Sequence, residues 1–117
     1  MNGKVASGIT GGKAFYKRTE SDYYPTPPEA TQALLDFLCI DKKAVIWEPA
    51  CGQGHMTQVM RNNGYKVVGT DIITGTDYLK AIVPDCSWII TNPPFSRSQE
   101  FIERSILNQK PFAFLLK

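Results

Sequence analysis

The chain has 117 residues, 43% hydrophobic and 21% charged, which suits one globular domain around one core. No apolar run nears the about 18 residues of a membrane span, and the N-terminus carries Gly, Lys and Thr where a signal peptide keeps its apolar stretch, so a cytoplasmic location is expected. The net charge of +2 is uneven: Lys4, Lys13, Lys17 and Arg18 against Glu20 put +3 into residues 1–20 and leave −1 for the rest, so charge alone does not point to nucleic acid.

Residues 1–20 are rich in Gly and polar side chains and read as a flexible basic arm, with the folded unit over 21–117. Thr26, Pro27 and Glu29 predict a helix start, with Thr26 as N-cap, Pro27 in the first helical position and Glu29 closing a capping box. Leu34, Leu35, Phe37 and Leu38 supply its apolar face, up to about Cys39. Ala44 to Trp47 is a short apolar run that reads as a strand buried on both faces. The glycine loop Glu48-Pro49-Ala50-Cys51-Gly52-Gln53-Gly54 follows, then a helix with Met56, Val59 and Met60 inward, stopped by Asn62-Asn63-Gly64. Lys66 to Asp71 is a second strand. Asp77-Tyr78-Leu79 begins a short turn or helix, and a weakly marked third strand is expected after it. Ser87 to Thr91 is another buried strand, followed by Asn92-Pro93-Pro94-Phe95, a helix over about Ser98 to Asn108, and a last apolar run from Phe112 to Leu116.

Strand–helix–strand units with short connections predict an α/β fold, Rossmann-like, with a parallel sheet and helices on both faces. Ligands of such sheets bind beyond the carboxyl ends of the strands. Glu48, Asp71 and Asn92 stand at three such ends. Cys39, Cys51 and Cys86 are widely spaced and His55 is the sole histidine, so no metal-ligand set is expected.

Gly52 and Gly54 allow a sharp turn and close approach of a ligand to the backbone, and Asp71, 19 residues after Gly52, can accept both hydroxyls of a ribose. A Gly-x-Gly by itself also fits a plain strand–helix turn. Thr57 stands where a dinucleotide fingerprint needs its third glycine, and Glu48 would repel a pyrophosphate but attract an ammonium. Ribose at one end and ammonium at the other describe S-adenosylmethionine. Asp77 can accept from an adenine amine, and Ile72 offers an apolar face to the ring; as ordinary residues they would be a turn acid and a core side chain.

Asn92-Pro93-Pro94-Phe95 suits methylation of an aromatic amine. Such an amine is a poor nucleophile because its lone pair is delocalised, and two acceptors on its N–H groups favour the pyramidal nitrogen. The Asn92 side chain and the Pro93 backbone carbonyl supply them, Pro94 and Pro93 stiffen the backbone before each, and Phe95 gives a flat face for a base turned out of a duplex. The plainer reading is a strand-ending turn with a buried phenylalanine.

With these motifs in place, residues 23–117 resemble the amino-group DNA methyltransferases of the Asn-Pro-Pro-Phe type, particularly the small adenine-specific ones of phages and prophages. The resemblance implies transfer of a methyl group from S-adenosylmethionine to the N6 amine of a flipped adenine in DNA, inside a bacterium or a phage-infected host. It implies that Thr26 touches the methionine end of the cofactor, that Glu48, Pro49, Ala50, Gly52 and Gly54 form the cofactor loop, that Asp71 and Ile72 hold the ribose and adenine, that Asp77 and Tyr78 sit by the cofactor adenine, and that Asn92, Pro93, Pro94 and Phe95 form the catalytic corner. Members of the family continue with further strands and a target-recognition region, so the sheet is expected to be incomplete at its C-terminal edge and completed by a continuation of the chain or a partner. RNA or a protein glutamine as substrate, and an inactive cofactor-binding fragment, are the alternatives.

Overall fold

Four short strands make a parallel sheet in the order β2-β1-β3-β4: β1 (Val45–Glu48), β2 (Lys66–Gly69), β3 (Trp88–Thr91) and β4 (Phe112–Phe114). The computed structural model describes residues 25–116; the basic arm expected at 1–20, with Tyr23 and Tyr24, lies outside the described residues. The central strands β1 and β3 are apolar up to their last residues, Glu48 and Thr91, because both their faces are covered. Ile46 and Ile90 face one way, packed on Leu35 of α1 (Pro28–Leu38) and on Met56 and Met60 of α2 (His55–Asn62). Trp47 and Ile89 face the other way, packed with Tyr78, Cys86 and Phe101 of α3 (Ser98–Asn108). Each such buried side chain contributes about 1.5–3 kcal/mol. The result is a Rossmann-like α/β fold with helices on both faces. Among the described residues, no helix is long and apolar enough to cross a membrane.

Three local expectations need correction. The first helix starts at Pro28, with extended Pro27 (ψ 140°) as N-cap and no side-chain capping bond, so the capping box of Thr26 and Glu29 does not form. The proline at 28 drives Pro27 out of helical geometry, which moves the start one residue on and leaves the Thr26 hydroxyl available for another task. Phe37 is 84% exposed rather than part of the inner face; two residues after buried Leu35 it stands on the opposite side of a helix of 3.6 residues per turn. Finally, residues 76–87 form no strand. The Asp77 side chain accepts from Leu79 N (3.0 Å), Arg104 donates to the Ala81 carbonyl (3.2 Å) and Lys110 to that of Cys86 (2.8 Å). The segment thus lies across the sheet face and contributes Tyr78 and Cys86 to the core.

Helix α2 ends as expected, with Gly64 in the left-handed region (φ +96°) just beyond Asn63. Asn63 also bonds Gln32 of α1 at 2.8 and 3.1 Å, which joins the two helices on one face. The strands are shorter than their apolar runs, but bonding continues past β2: Thr70 N donates to the Glu48 carbonyl and Cys51 N to the Thr70 carbonyl, each at 2.9 Å.

Candidate functional site

From β1 the chain moves out to β2, then returns across β1 to β3, so the strand order reverses between β1 and β3. The carboxyl ends of strands at such a reversal form a crevice that the sheet itself cannot fill. Glu48 closes β1, Asn92 follows β3, and Asp71 follows β2, so the fold brings all three to one rim.

The loop after β1 is fixed by its neighbours. Gly52 (φ +52°) and Gly54 (φ +89°) take left-handed backbone that side-chain-bearing residues rarely adopt. Gly52 N donates to Asp71 Oδ2 at 2.8 Å and Ile73 N to Asp71 Oδ1 at 2.9 Å, so one carboxylate, 1% exposed, ties the glycine loop to the end of β2. Two clefts open on either side of buried Ala50. The first is lined by Pro49, Asp71, Ile72, Asp77, Tyr78 and Pro94 among others. The second is lined by Thr26, Glu48, Gly52, His55, Met56 and Asn92 among others. Both are shallow and share Ala50 as a wall, so they adjoin along the rim.

Most of the residues expected at the site divide between the two clefts, while Gly54, Pro93 and Phe95 line neither. Asp71, Ile72, Asp77, Pro49 and Ala50 line the first cleft, where a ribose and an adenine were expected. Thr26, Glu48, Gly52 and Asn92 come together in the second, and Asn92 Nδ2 donates to Thr26 Oγ1 at 3.0 Å. Gly54 shapes the loop as N-cap of α2. Pro93 and Pro94 are buried, whereas Phe95 is 60% exposed in a single 3-10 turn. That exposure departs from the plainer reading of a buried phenylalanine. Tyr78 borders the first cleft but is mainly a core residue, 2% exposed, with its ring 5.1 Å from Trp47 and 4.8 Å from Phe101. Its hydroxyl meets Ser105 Oγ at 2.5 Å and accepts from Asn108 at 3.1 Å.

Glu48 is engaged more than its sequence position suggested. It is 2% exposed, and Thr57 Oγ1 donates to Oε1 at 2.5 Å while Thr91 Oγ1 donates to Oε2 at 3.2 Å. Loss of solvent pushes its carboxyl up to about 7; the threonine hydrogen bonds oppose the rise and the nearby Asp71 charge adds to it. Near neutral pH the side chain therefore exchanges between ionised and neutral forms.

Sequence reasoning missed the two threonines of this clamp. Thr57 drew notice only as the residue that breaks a dinucleotide fingerprint, and Thr91 only as a strand end. It also passed over Arg97 and Phe101, which border the first cleft. The one available signal was spacing: Thr57 follows Met56 on the inner side of α2, and a buried hydroxyl there needs a polar partner.

Fold and site together define a Rossmann-like α/β domain with two adjoining clefts, one mainly apolar and one mainly polar, at its topological reversal. Its fold is shared with a solved dimethyladenosine transferase from Plasmodium falciparum, at a TM-score of 0.55 and 16% sequence identity, over 80% of this chain and 42% of that one. The chain thus spans less than half the length of that protein. No protein-family model and no curated protein matches it.

Proposed function

We propose that the chain binds S-adenosylmethionine and transfers its methyl group to the N6 amine of adenine in DNA. The observation that carries this reading is the meeting of Asn92 with Thr26, Glu48 and Gly52 in the second cleft, next to the first, which is lined by Asp71. The donor set fits the cofactor. Asp71 offers a buried carboxylate to ribose hydroxyls, Ile72 an apolar surface to adenine, and Glu48 in its ionised form a counter-charge to the amino-acid ammonium. When bound, S-adenosylmethionine supplies an electrophilic methyl group.

The protein's own part is to hold the amine. Asn92 Oδ1 and the Pro93 carbonyl accept its two N–H bonds and steer the nitrogen lone pair, while exposed Phe95 stacks on the flipped base. The nitrogen held by Asn92 and Pro93 would take up that methyl group, the electron pair of the sulfur–carbon bond remaining with the cofactor. The methylated nitrogen, now cationic, gives up its proton to solvent without a dedicated base.

A second reading, adenosine in RNA, has one observation in its favour: the solved protein of the same fold is a dimethyladenosine transferase. Calorimetric titration with S-adenosylmethionine, followed by tritium transfer from the labelled cofactor into DNA, RNA and bulk protein, tests both. Label in DNA adenine is the expected result. Label in RNA or in glutamine moves the substrate, binding without transfer leaves a cofactor-binding fragment, and absence of binding ends the reading.

A further inference from the structure

We infer that Thr26 is a positioning residue for Asn92, which it holds so that the amide carbonyl meets the substrate amine. This rests on the methyltransferase reading above but gives Thr26 a task other than contact with the methionine end of the cofactor.

An asparagine amide has two ends of nearly equal size and opposite chemistry. Its terminal torsion is broad and close to two-fold, so the backbone of the Asn-Pro-Pro corner, however stiff, does not select which end faces the cleft. With the NH₂ end forward, two donors would oppose each other at the substrate amine. The Thr26 hydroxyl, 7% exposed and brought in from 66 residues earlier, accepts from Asn92 Nδ2 at 3.0 Å. A hydroxyl can bond either end of an amide, so this contact holds the amide plane, and the substrate's own N–H donors favour the observed orientation with Nδ2 on Thr26. The hydroxyl is available for it because α1 begins at Pro28 and makes no side-chain cap bond. Pro25 and Pro27 flank Thr26, and each proline restricts its own φ and the residue before it. The donor–acceptor pair is thus set between a stiff entry segment and a stiff strand exit.

The two tasks for Thr26 differ in what they predict. A cofactor contact would lower affinity when removed; a positioning contact lowers turnover and leaves affinity nearly intact. The test uses the full chain with Thr26→Val, which keeps the shape without the hydroxyl, and Thr26→Ser, which restores the hydroxyl. Three quantities are read: the dissociation constant for S-adenosylmethionine, single-turnover methyl transfer, and exchange of the Asn92 side-chain NH₂ protons by ¹⁵N NMR, assigned through their loss in Asn92→Ala. For Thr26→Val, turnover is expected to fall on the order of 10- to 100-fold. Amide exchange should speed up roughly three- to tenfold, with the dissociation constant within about threefold of the original. Thr26→Ser should restore all three.

Affinity falling in step with turnover overturns the positioning role in favour of a cofactor contact. Unchanged exchange and turnover, or failure of Thr26→Ser to rescue, overturns it as well. Should Thr26→Val not fold, the original chain still decides: an Asn92 amide exchanging as fast as that of exposed Asn62 overturns the proposal. A chain that binds no cofactor removes the methyltransferase reading and this role together, whereas normal binding and transfer with the wrong Thr26 pattern removes this role alone.

Discussion

On one side of Ala50, Asp71 is 1% exposed and takes its hydrogen bonds from the main-chain N–H groups of Gly52 and Ile73; on the other, Glu48 is 2% exposed and takes them from the hydroxyls of Thr57 and Thr91. A backbone N–H can only donate, so the first arrangement serves an acceptor and nothing else. A threonine hydroxyl can donate to a carboxylate or accept from a carboxylic acid. Glu48 therefore changes protonation without losing its partners, and burial has moved its carboxyl up to about 7, where that change matters. The first cleft is built around a fixed anchor and the second around groups that respond to what enters.

The largest expected effect tests whether chemistry belongs to the second cleft alone. Asn92→Ala should lower methyl transfer by on the order of 100- to 1,000-fold, the loss typical of removing a group aimed at developing charge. Cofactor affinity should barely change. Isothermal titration beside single-turnover transfer separates the two, and equal loss of both would make Asn92 a structural residue. Asp71→Ala should do the reverse. It removes acceptors for ribose and leaves Gly52 N and Ile73 N without the carboxylate, so the dissociation constant should rise by on the order of 100-fold, in line with lost charge-assisted hydrogen bonds. An unchanged dissociation constant would take Asp71 out of the ribose role and dissolve the contrast between the clefts.

Much of this frame is legible in the sequence because it depends on local chemistry. The apolar runs ending in Glu48, Thr91-Asn92 and Asp71 give the strands, and strand polarity then sends their ends to one rim. Gly52 and Gly54 announce the loop because the backbone there is left-handed. The Asn-Pro-Pro-Phe corner stands out by its residue types. What the sequence does not reveal depends on contacts between distant segments. Thr57 and Thr91 look like an ordinary helix residue and an ordinary strand end until folding closes both on Glu48. Thr26 reads as a helix cap because local rules favour one, and only the second proline, at 28, shifts the helix and releases its hydroxyl to Asn92. Tyr78 beside Asp77 reads as part of the site, yet a buried aromatic ring packs where the most apolar surface is, against Trp47 and Phe101.

The next effect sharpens the Glu48 side of the comparison. A carboxyl moved from 4.5 to about 7 by folding holds its proton more tightly in the folded chain. Its contribution to stability is complete below pH 4.5 and is lost as pH rises through 7. By pH 9 the loss is on the order of 3 kcal/mol. In Glu48→Gln the Gln carbonyl can still accept from Thr57 and its NH₂ can donate to Thr91. Thermal melts at pH 5 and pH 9 should therefore show that part of the wild-type decline missing from the variant. Cofactor binding should run the other way: the ionised form attracts an ammonium, so wild-type affinity should strengthen between pH 6 and 8 while that of Glu48→Gln lacks this component. Parallel pH profiles for the two proteins would show that Glu48 does not titrate in this range.

The smallest expected effect asks which region owns Tyr78. Its hydroxyl meets Ser105 and Asn108 of α3, while one edge of its environment is the first cleft. Tyr78→Phe keeps the ring, and with it the packing on Trp47 and Phe101, and removes the hydroxyl. If the residue serves chiefly as a core post between the 76–87 segment and α3, stability should fall by about 1 kcal/mol, the net value of a typical hydrogen bond. Ser105, itself fully buried, then loses its partner and sets that figure nearer the upper end of the usual range. Cofactor affinity should stay within about twofold, because a ring held in place by neighbouring aromatics presents the same edge to the cleft. Urea unfolding and calorimetric titration on the same preparation give both numbers. A clear loss of affinity with unchanged stability would assign the tyrosine hydroxyl to the ligand rather than to α3.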